Sequence, residues 1–232
     1  MKRITYSLTS LLTLAMLLCA CSPAQAQRHK KNQQLIHAYP AVGVTLSQIR
    51  GDELRGFKKV GITAGVGAAV KLDEKELWKL SVEALYSERG AFNNTLIPYS
   101  IIGFKLQYVD IPLFVHFTDP IGGMTLGVGV SYSRLVQQPH GELLYKEVAG
   151  SDIFIPDSSD FSFLRNDLAL AVDFRFPVWK TLYFNVRYQH SIIPIKRQWH
   201  FTQYLNNDLT QTHTWANDLY NSSLMFRLLY YF

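Results

Sequence analysis

The sequence predicts an all-β protein: an eight-stranded antiparallel transmembrane β-barrel, an up-and-down meander with short periplasmic turns and long extracellular loops. Three observations predict it. Eight segments alternate apolar and polar residues with a period of two, which gives a strand one greasy face. The connections between them alternate short and long, the asymmetry of an outer-membrane barrel. The chain also stops on such a segment, Leu224-Met225-Phe226-Arg227-Leu228-Leu229-Tyr230-Tyr231-Phe232, whose even positions are all large and apolar. A C-terminal Phe of this kind resembles the ends of bacterial outer-membrane barrels.

The segments follow in order. Near Tyr39–Ile49, Val42, Val44 and Leu46 oppose Gly43, Thr45 and Ser47. Over Val60–Lys71, Val60, Ile62, Ala64, Val66, Ala68 and Val70 oppose Gly61, Thr63, Gly65, Gly67, Ala69 and Lys71. Over Leu77–Gly90, Trp78, Leu80, Val82, Ala84 and Tyr86 oppose Lys79, Ser81, Glu83 and Ser87. Over Gly103–Phe117, Val109, Ile111, Leu113, Val115 and Phe117 oppose Tyr108, Asp110, Phe114 and His116.

Gly122–Val136 sets Leu126, Val128, Val130 and Tyr132 against Thr125, Gly127, Gly129, Ser131 and Ser133. Arg165–Phe176 sets Leu168, Leu170, Val172, Phe174 and Phe176 against Asp167, Asp173 and Arg175. Lys180–Ile192 sets Leu182, Phe184, Val186 and Tyr188 against Asn185, Arg187 and Gln189. The terminal run is the eighth, with Leu224, Phe226, Leu228, Tyr230 and Phe232 toward lipid and Arg227 toward the lumen. Each segment is long enough to cross a bilayer when tilted.

Leu72–Glu76, Thr118–Ile121 and Pro177–Trp179 are the short connections. Arg50–Lys59, Ala91–Ile102, Gln137–Leu164 and Ile193–Tyr220 are the long ones. A soluble sandwich or lipocalin-type barrel is the competing reading, with the apolar face turned inward. The Gly, Ser, Thr and charged residues of the polar faces suit a narrow lumen instead. Trp78, Phe117, Phe176, Trp179, Tyr188, Tyr230 and Phe232 near segment ends suit interface girdles.

The N-terminus sets the compartment. Lys2 and Arg3 precede an apolar stretch from Leu11 to Ala20 that is too short to span a bilayer, and Ala24-Gln25-Ala26 is a small-x-small cleavage site. Residues 1–26 read as a signal peptide, 27–38 as a short periplasmic segment and 39–232 as the barrel domain, with both termini periplasmic. Leu18-Cys19-Ala20-Cys21 is a rival lipobox that would leave a lipidated Cys21. Both cysteines of the chain precede the Ala26 cut, so cleavage there excludes disulfide, zinc-thiolate and cysteine-nucleophile chemistry. The formal net charge of +5 includes no basic run suited to nucleic acid. The expected partners are outer-membrane lipid or lipopolysaccharide and, during biogenesis, the barrel-assembly machinery.

Ala41-Val42-Gly43-Val44-Thr45-Leu46-Ser47-Gln48-Ile49, Gly61-Ile62-Thr63-Ala64-Gly65-Val66, Leu80–Gly90 and Leu106-Gln107-Tyr108-Val109-Asp110-Ile111-Pro112-Leu113 carry a family resemblance. In them the chain resembles the PorT-like outer-membrane β-barrel family of the Bacteroidota, over nearly all of its mature length. The resemblance implies an eight-stranded barrel. The name-giving member is tied to type IX secretion and gingipain maturation, so an accessory role beside a secretion machine is one implied role.

A barrel of eight strands is filled by its own side chains. On this register Glu83, Asp110, Asp173, Arg175, Arg187 and Arg227 point inward and should form a paired network, because unpaired charges there would cost several kcal/mol each. That network reads either as a structural core or as an ion path. Pro112 cannot donate to the ladder, which predicts a bulge or kink there. The histidines lack metal-ligand spacing, and no cofactor motif is present. His190-Ser191 is the only suggestive pair; it is what a lipid-modifying barrel enzyme acting on lipid A or phospholipid would use, with an acidic partner. The non-enzymatic reading places function in the outer loops, where Trp199, Phe201, Tyr204 and Trp215 lie among charges suited to recognition.

Overall fold

Strand edges carry unpaired N–H and C=O groups, which hydrocarbon cannot satisfy. The chain answers this by closing its sheet. In the computed structural model, β1 (Ile36–Arg50) pairs antiparallel with both β2 (Lys59–Lys71) and the last strand, β11 (Thr212–Tyr230). Between them the wall continues through β3 (Trp78–Asn94), β4 (Ser100–Thr118), β5 (Thr125–Gln137), β8 (Asn166–Pro177) and β9 (Leu182–Ser191). This is a closed eight-stranded antiparallel barrel in meander order. The structure describes residues 35–51, 56–94, 100–137, 143–145, 153–156, 162–204 and 212–232. The expected signal segment, its Ala26 cleavage site and Cys21 lie outside the described residues.

The period of two sets the two faces. Val42, Val44, Val60, Ile62, Val66, Val82, Ile111, Leu113, Val128, Val130, Leu170, Phe174 and Leu228 are all exposed, while the residues alternating with them are largely buried. On a water-facing surface so wide an apolar belt would drive aggregation, whereas lipid accepts it. Trp78 packs on Phe117 at 5.2 Å between ring centres and Tyr230 on Phe232 at 5.4 Å, and with Trp179 they make an aromatic rim at the short-turn end.

Three tight turns join the strands at that end. Asp73 Oδ1 accepts from the Trp78 amide at 2.7 Å, and Asp119 Oδ2 accepts from the Gly122 amide at 2.6 Å. The third turn lies between β8 and β9, where the Val178 amide donates to the Leu182 carbonyl at 2.9 Å. Short polar side chains that cap their own turn stabilise it locally.

The long connections hold more strand than the sequence predicts. Within the expected loop Ile193–Tyr220, β10 (Lys196–Tyr204) pairs with the first part of β11, and β7 (Ile153–Pro156) adds to β10. β6 (Leu143–Tyr145) adds to the start of β4. β3 and β4 likewise run on to Asn94 and from Ser100, through most of the expected loop Ala91–Ile102. Backbone groups beyond the bilayer still need partners, and hairpin extension supplies them. β1 begins at Ile36 rather than near Tyr39.

Pro112 leaves the β4–β5 pairing intact. It sits opposite Ser131 in an unshifted stretch of the β4–β5 ladder, and the register shift falls at Gln107/Tyr108 instead. On the β3 side, pairs are recorded for Val82–Leu113 and Leu85–Asp110 in one register, with none between, as a residue lacking N–H requires.

Candidate functional site

The lumen holds the unusual chemistry. Glu83, on β3, faces three guanidiniums. Arg187, on β9, grips it with a fork, Nη1 to Oε2 and Nη2 to Oε1, each at 2.9 Å. Arg227, on β11, donates from Nη1 to Glu83 Oε2 at 2.9 Å, and Arg175, on β8, from Nη2 to Oε1 at 3.3 Å. Asp173 binds the same three: Arg187 Nε at 2.7 Å, Arg175 Nε at 2.8 Å and Arg227 Nη2 at 3.4 Å. Glu83, Asp173, Arg187 and Arg227 side chains are fully excluded from solvent. Fork-to-carboxylate pairs of this kind combine charge with fixed geometry.

Neutral side chains complete this level. Tyr39 donates to Glu83 Oε1 at 2.7 Å, and Arg227 Nε donates to Asn185 Oδ1 at 2.8 Å. Arg175 Nη2 donates to His116 Nε2 at 3.0 Å. A guanidinium only donates, so His116 Nε2 carries the lone pair and the network assigns its proton to Nδ1. The His116 ring lies flat on Gly127: a Cβ there would come within 2.2 Å of Nδ1. Tyr39 crosses Gly67 in the same way, at 2.5 Å from the position of a Cβ. These two glycines let large rings enter a narrow lumen.

Asp110 is not part of this group. It lies nearer the long-loop end, where Arg89 Nη2 donates to its Oδ2 at 2.6 Å and Ser87 Oγ donates to the same oxygen at 2.6 Å. Asp167 joins there, accepting from Arg89 Nη1 at 3.5 Å, Ser191 Oγ at 2.8 Å and Asn221 Nδ2 at 3.1 Å. The Gln189 amide, turned with its oxygen inward, accepts from Arg89 Nη1 at 3.0 Å. Asp110 Oδ1 and Asp167 Oδ1 have no hydrogen-bond partner among the described residues.

Thus the inward charges fall into two levels. The lower sets three guanidiniums against two carboxylates; the upper sets one guanidinium against two. Across both levels the described charges balance. Arg89, Asp167, Tyr39 and His116 are members that the expected network of six left out. Arg89 follows Glu83 by an even number of residues on one strand, so its inward direction was readable from the alternation.

Above the upper level an apolar cluster closes the barrel. Ile49, Leu106, Tyr108, Leu135, Phe163, Ile195, Trp199 and Leu219 are all buried within it. Trp199, expected as an exposed recognition residue, is therefore part of the cap, 6.1 Å from Phe163 between ring centres, with Lys196 Nζ 4.8 Å above its ring. Phe201 pairs across the backbone with Trp215, and Tyr204 with Thr212. The side chains of Phe201, Tyr204 and Trp215 lie outside the described residues.

The pair His190–Ser191 does not form. Alternation sends Ser191 into the lumen to Asp167, while His190 faces outward and its Nδ1 lies 2.8 Å from Ser222 Oγ on β11. No cluster of potential metal ligands occurs among the described residues.

At the opposite end the barrel is open. A recess of about 280 Å³ reaches Arg175 and His116 from the short-turn side, bordered by Lys79, Lys180, Thr181 and Tyr231 among others. Glu76, in the β2–β3 turn, lines it as well and pairs with Lys71, and this hydrogen bond holds the Glu76 carboxyl below the usual carboxylate range.

Among solved structures the chain is similar to the attachment invasion locus protein Ail of Yersinia pestis, at 12% identity and a TM-score of 0.43 over 84% of this chain and 98% of that one. It is similar to Neisserial surface protein A at 12% identity and a TM-score of 0.44, covering 85% of this chain and 97% of that one. It is also similar to the outer-membrane protease OmpT of Escherichia coli, at 13% identity and a TM-score of 0.36 over 85% and 96%. No curated protein matches the chain in sequence. The family model for the outer membrane protein beta-barrel domain matches residues 12–232, and the chain belongs to that family.

Proposed function

We propose that this protein is a non-enzymatic, closed outer-membrane barrel with an accessory or recognition role carried by its long-loop end. One observation supports this above others: the lumen is blocked twice, by a solvent-excluded ion-pair network and by an apolar cap around Trp199. A barrel stoppered at both levels offers solutes no continuous path. Its chemistry is then left to the surfaces it displays. In this reading residues 1–26 are a cleaved signal peptide, the short turns and both termini face the periplasm, and β6, β7, β10 and the start of β11 stand outside the cell.

The finer assignment, a PorT-like barrel of the Bacteroidota beside a secretion machine, is part of the same proposal. It is supported by the order Tyr108-Val109-Asp110-Ile111-Pro112-Leu113. A photo-crosslinking residue at exposed Gln198 tests the role in intact cells. Capture of one discrete protein supports it. Capture of lipopolysaccharide alone, or nothing, contradicts it.

A second reading, a lipid-acting enzyme, rests on the outward His190–Ser222 contact at 2.8 Å. Unchanged membrane lipids in a deletion strain, measured by mass spectrometry, remove it; a lipid change restored by wild type but not by Ser222→Ala supports it.

A further inference from the structure

We propose that the recess at the short-turn end is a binding site for a small oxyanion of the phosphate type. The proposal depends on the reading above only for the side of the membrane that the recess faces. Three features converge on it.

The first is uncommitted positive charge. Lys79, on β3, sits directly opposite Lys71 of β2, an arrangement of like charges that costs free energy in a ladder. Glu76 answers Lys71 and leaves Lys79 without a salt bridge among the described residues. Lys180, in the β8–β9 turn, is exposed and likewise makes none. Both residues border this same recess, from opposite walls of the barrel. Glu76 also lines the recess, but it is paired with Lys71, so the lysines brought there from β3 and from a distant turn outnumber the carboxylates that face them.

The second is the floor. Arg175 and His116 close the recess from below, and both are almost fully buried. Arg175 belongs to the level in which three guanidiniums meet two carboxylates, so positive charge remains in excess beneath the recess. The carboxylates that balance it lie at the upper level, with Arg89. An anion in the recess would offset the excess locally, where low-dielectric walls focus the field.

The third is the pattern of donors and the size. Besides the lysines, the wall presents the Thr181 hydroxyl and the Tyr231 phenol, whose oxygen already accepts from Arg175 Nη1 at 2.5 Å. Accepting from Arg175 leaves the phenol O–H to donate. Several donors around one centre favour an acceptor with several oxygens over chloride. A volume of about 280 Å³ holds a phosphate with a small organic substituent. His37 also faces the recess, and the negative side chain near it, Glu76, is engaged by Lys71. A phospholipid headgroup at the membrane boundary and a free phosphate ester share this chemistry.

Calorimetric titration of the purified, detergent-folded full chain with inorganic phosphate at low ionic strength tests the site. A single saturable event is expected. Lys79→Gln and Lys180→Gln should each weaken it about tenfold, the scale of one charge-assisted hydrogen bond. Lys105→Gln, which removes an exposed lysine paired with Glu88 toward the other end, should leave it unchanged. A parallel titration with glycerol 3-phosphate separates the sources: tighter binding than phosphate points to a headgroup, equal binding to a free anion. Heat-modifiable migration on a gel confirms that each variant is folded. No saturable binding by the wild type, or equal weakening in all three variants, overturns the proposal. Such a failure would leave the crosslinking test of the long-loop end untouched, so the two readings can fall separately.

Discussion

Arg187 and Glu83 clasp each other across the barrel lumen through two hydrogen bonds of 2.9 Å, both side chains wholly buried. Neither can be removed alone without leaving a desolvated charge. Deleting one partner of such a pair typically costs about 3–5 kcal/mol. Glu83→Gln should therefore lower the urea midpoint of the detergent-folded barrel strongly. A double-mutant cycle sharpens this. Glu83→Gln with Arg187→Gln should show a coupling above about 1 kcal/mol, while Glu83→Gln with Arg89→Gln should be nearly additive. Equal coupling in both cycles would dissolve the distinction between the two charged levels.

Gly127 is where the His116 ring rests. Gly127→Ala places a methyl within the ring, with a separation of 2.2 Å from Nδ1 before relaxation. Overpacking of this kind costs about 1–3 kcal/mol. Urea unfolding monitored by gel migration should show it. A Gly127→Ala barrel as stable as wild type would mean that the ring has another place to go.

Trp199 is buried against Phe163, Ile195 and Leu219. Trp199→Ala should lower stability by about 3–5 kcal/mol, as loss of a core aromatic does. Protease sensitivity of the long-loop end should rise with it. A variant of unchanged stability that only loses partner binding would restore Trp199 to the surface role its sequence position suggests.

Glu76 gives the pH dependence. The hydrogen bond from Lys71 is the largest cause of its lowered pKa, and burial opposes it. A depressed carboxyl stabilises the fold fully above its ordinary value of 4.5, and this stabilisation is lost as pH falls through the lower folded value. Wild type should thus lose stability on acidification below that ordinary value more steeply than Glu76→Gln. Both should run parallel at neutral pH. Parallel curves throughout would show that the turn pair contributes nothing.

The sequence was informative about direction and poor about height. Alternation alone placed Asp173 and Arg227 inward and Leu228 and Phe174 outward, because a one-residue slip would reverse every face at once. It could not tell that Asp110 meets Arg89 while Glu83 meets Arg187. Strand tilt and stagger set which inward residues share a level, and a period of two carries no trace of them. The same limit explains His190 and Ser191: adjacency in sequence puts them on opposite faces of one strand. The long-loop end was hardest. Trp199 sits among polar residues, so its burial depends on β10 folding back over Phe163, a long-range event with no local pattern.

Single-channel recording of the purified barrel in a planar bilayer tests the closed lumen most directly. The fork between Arg187 and Glu83 and the cap around Trp199 predict a silent bilayer at all applied voltages. Discrete, reproducible conductance steps from the wild-type protein would contradict it.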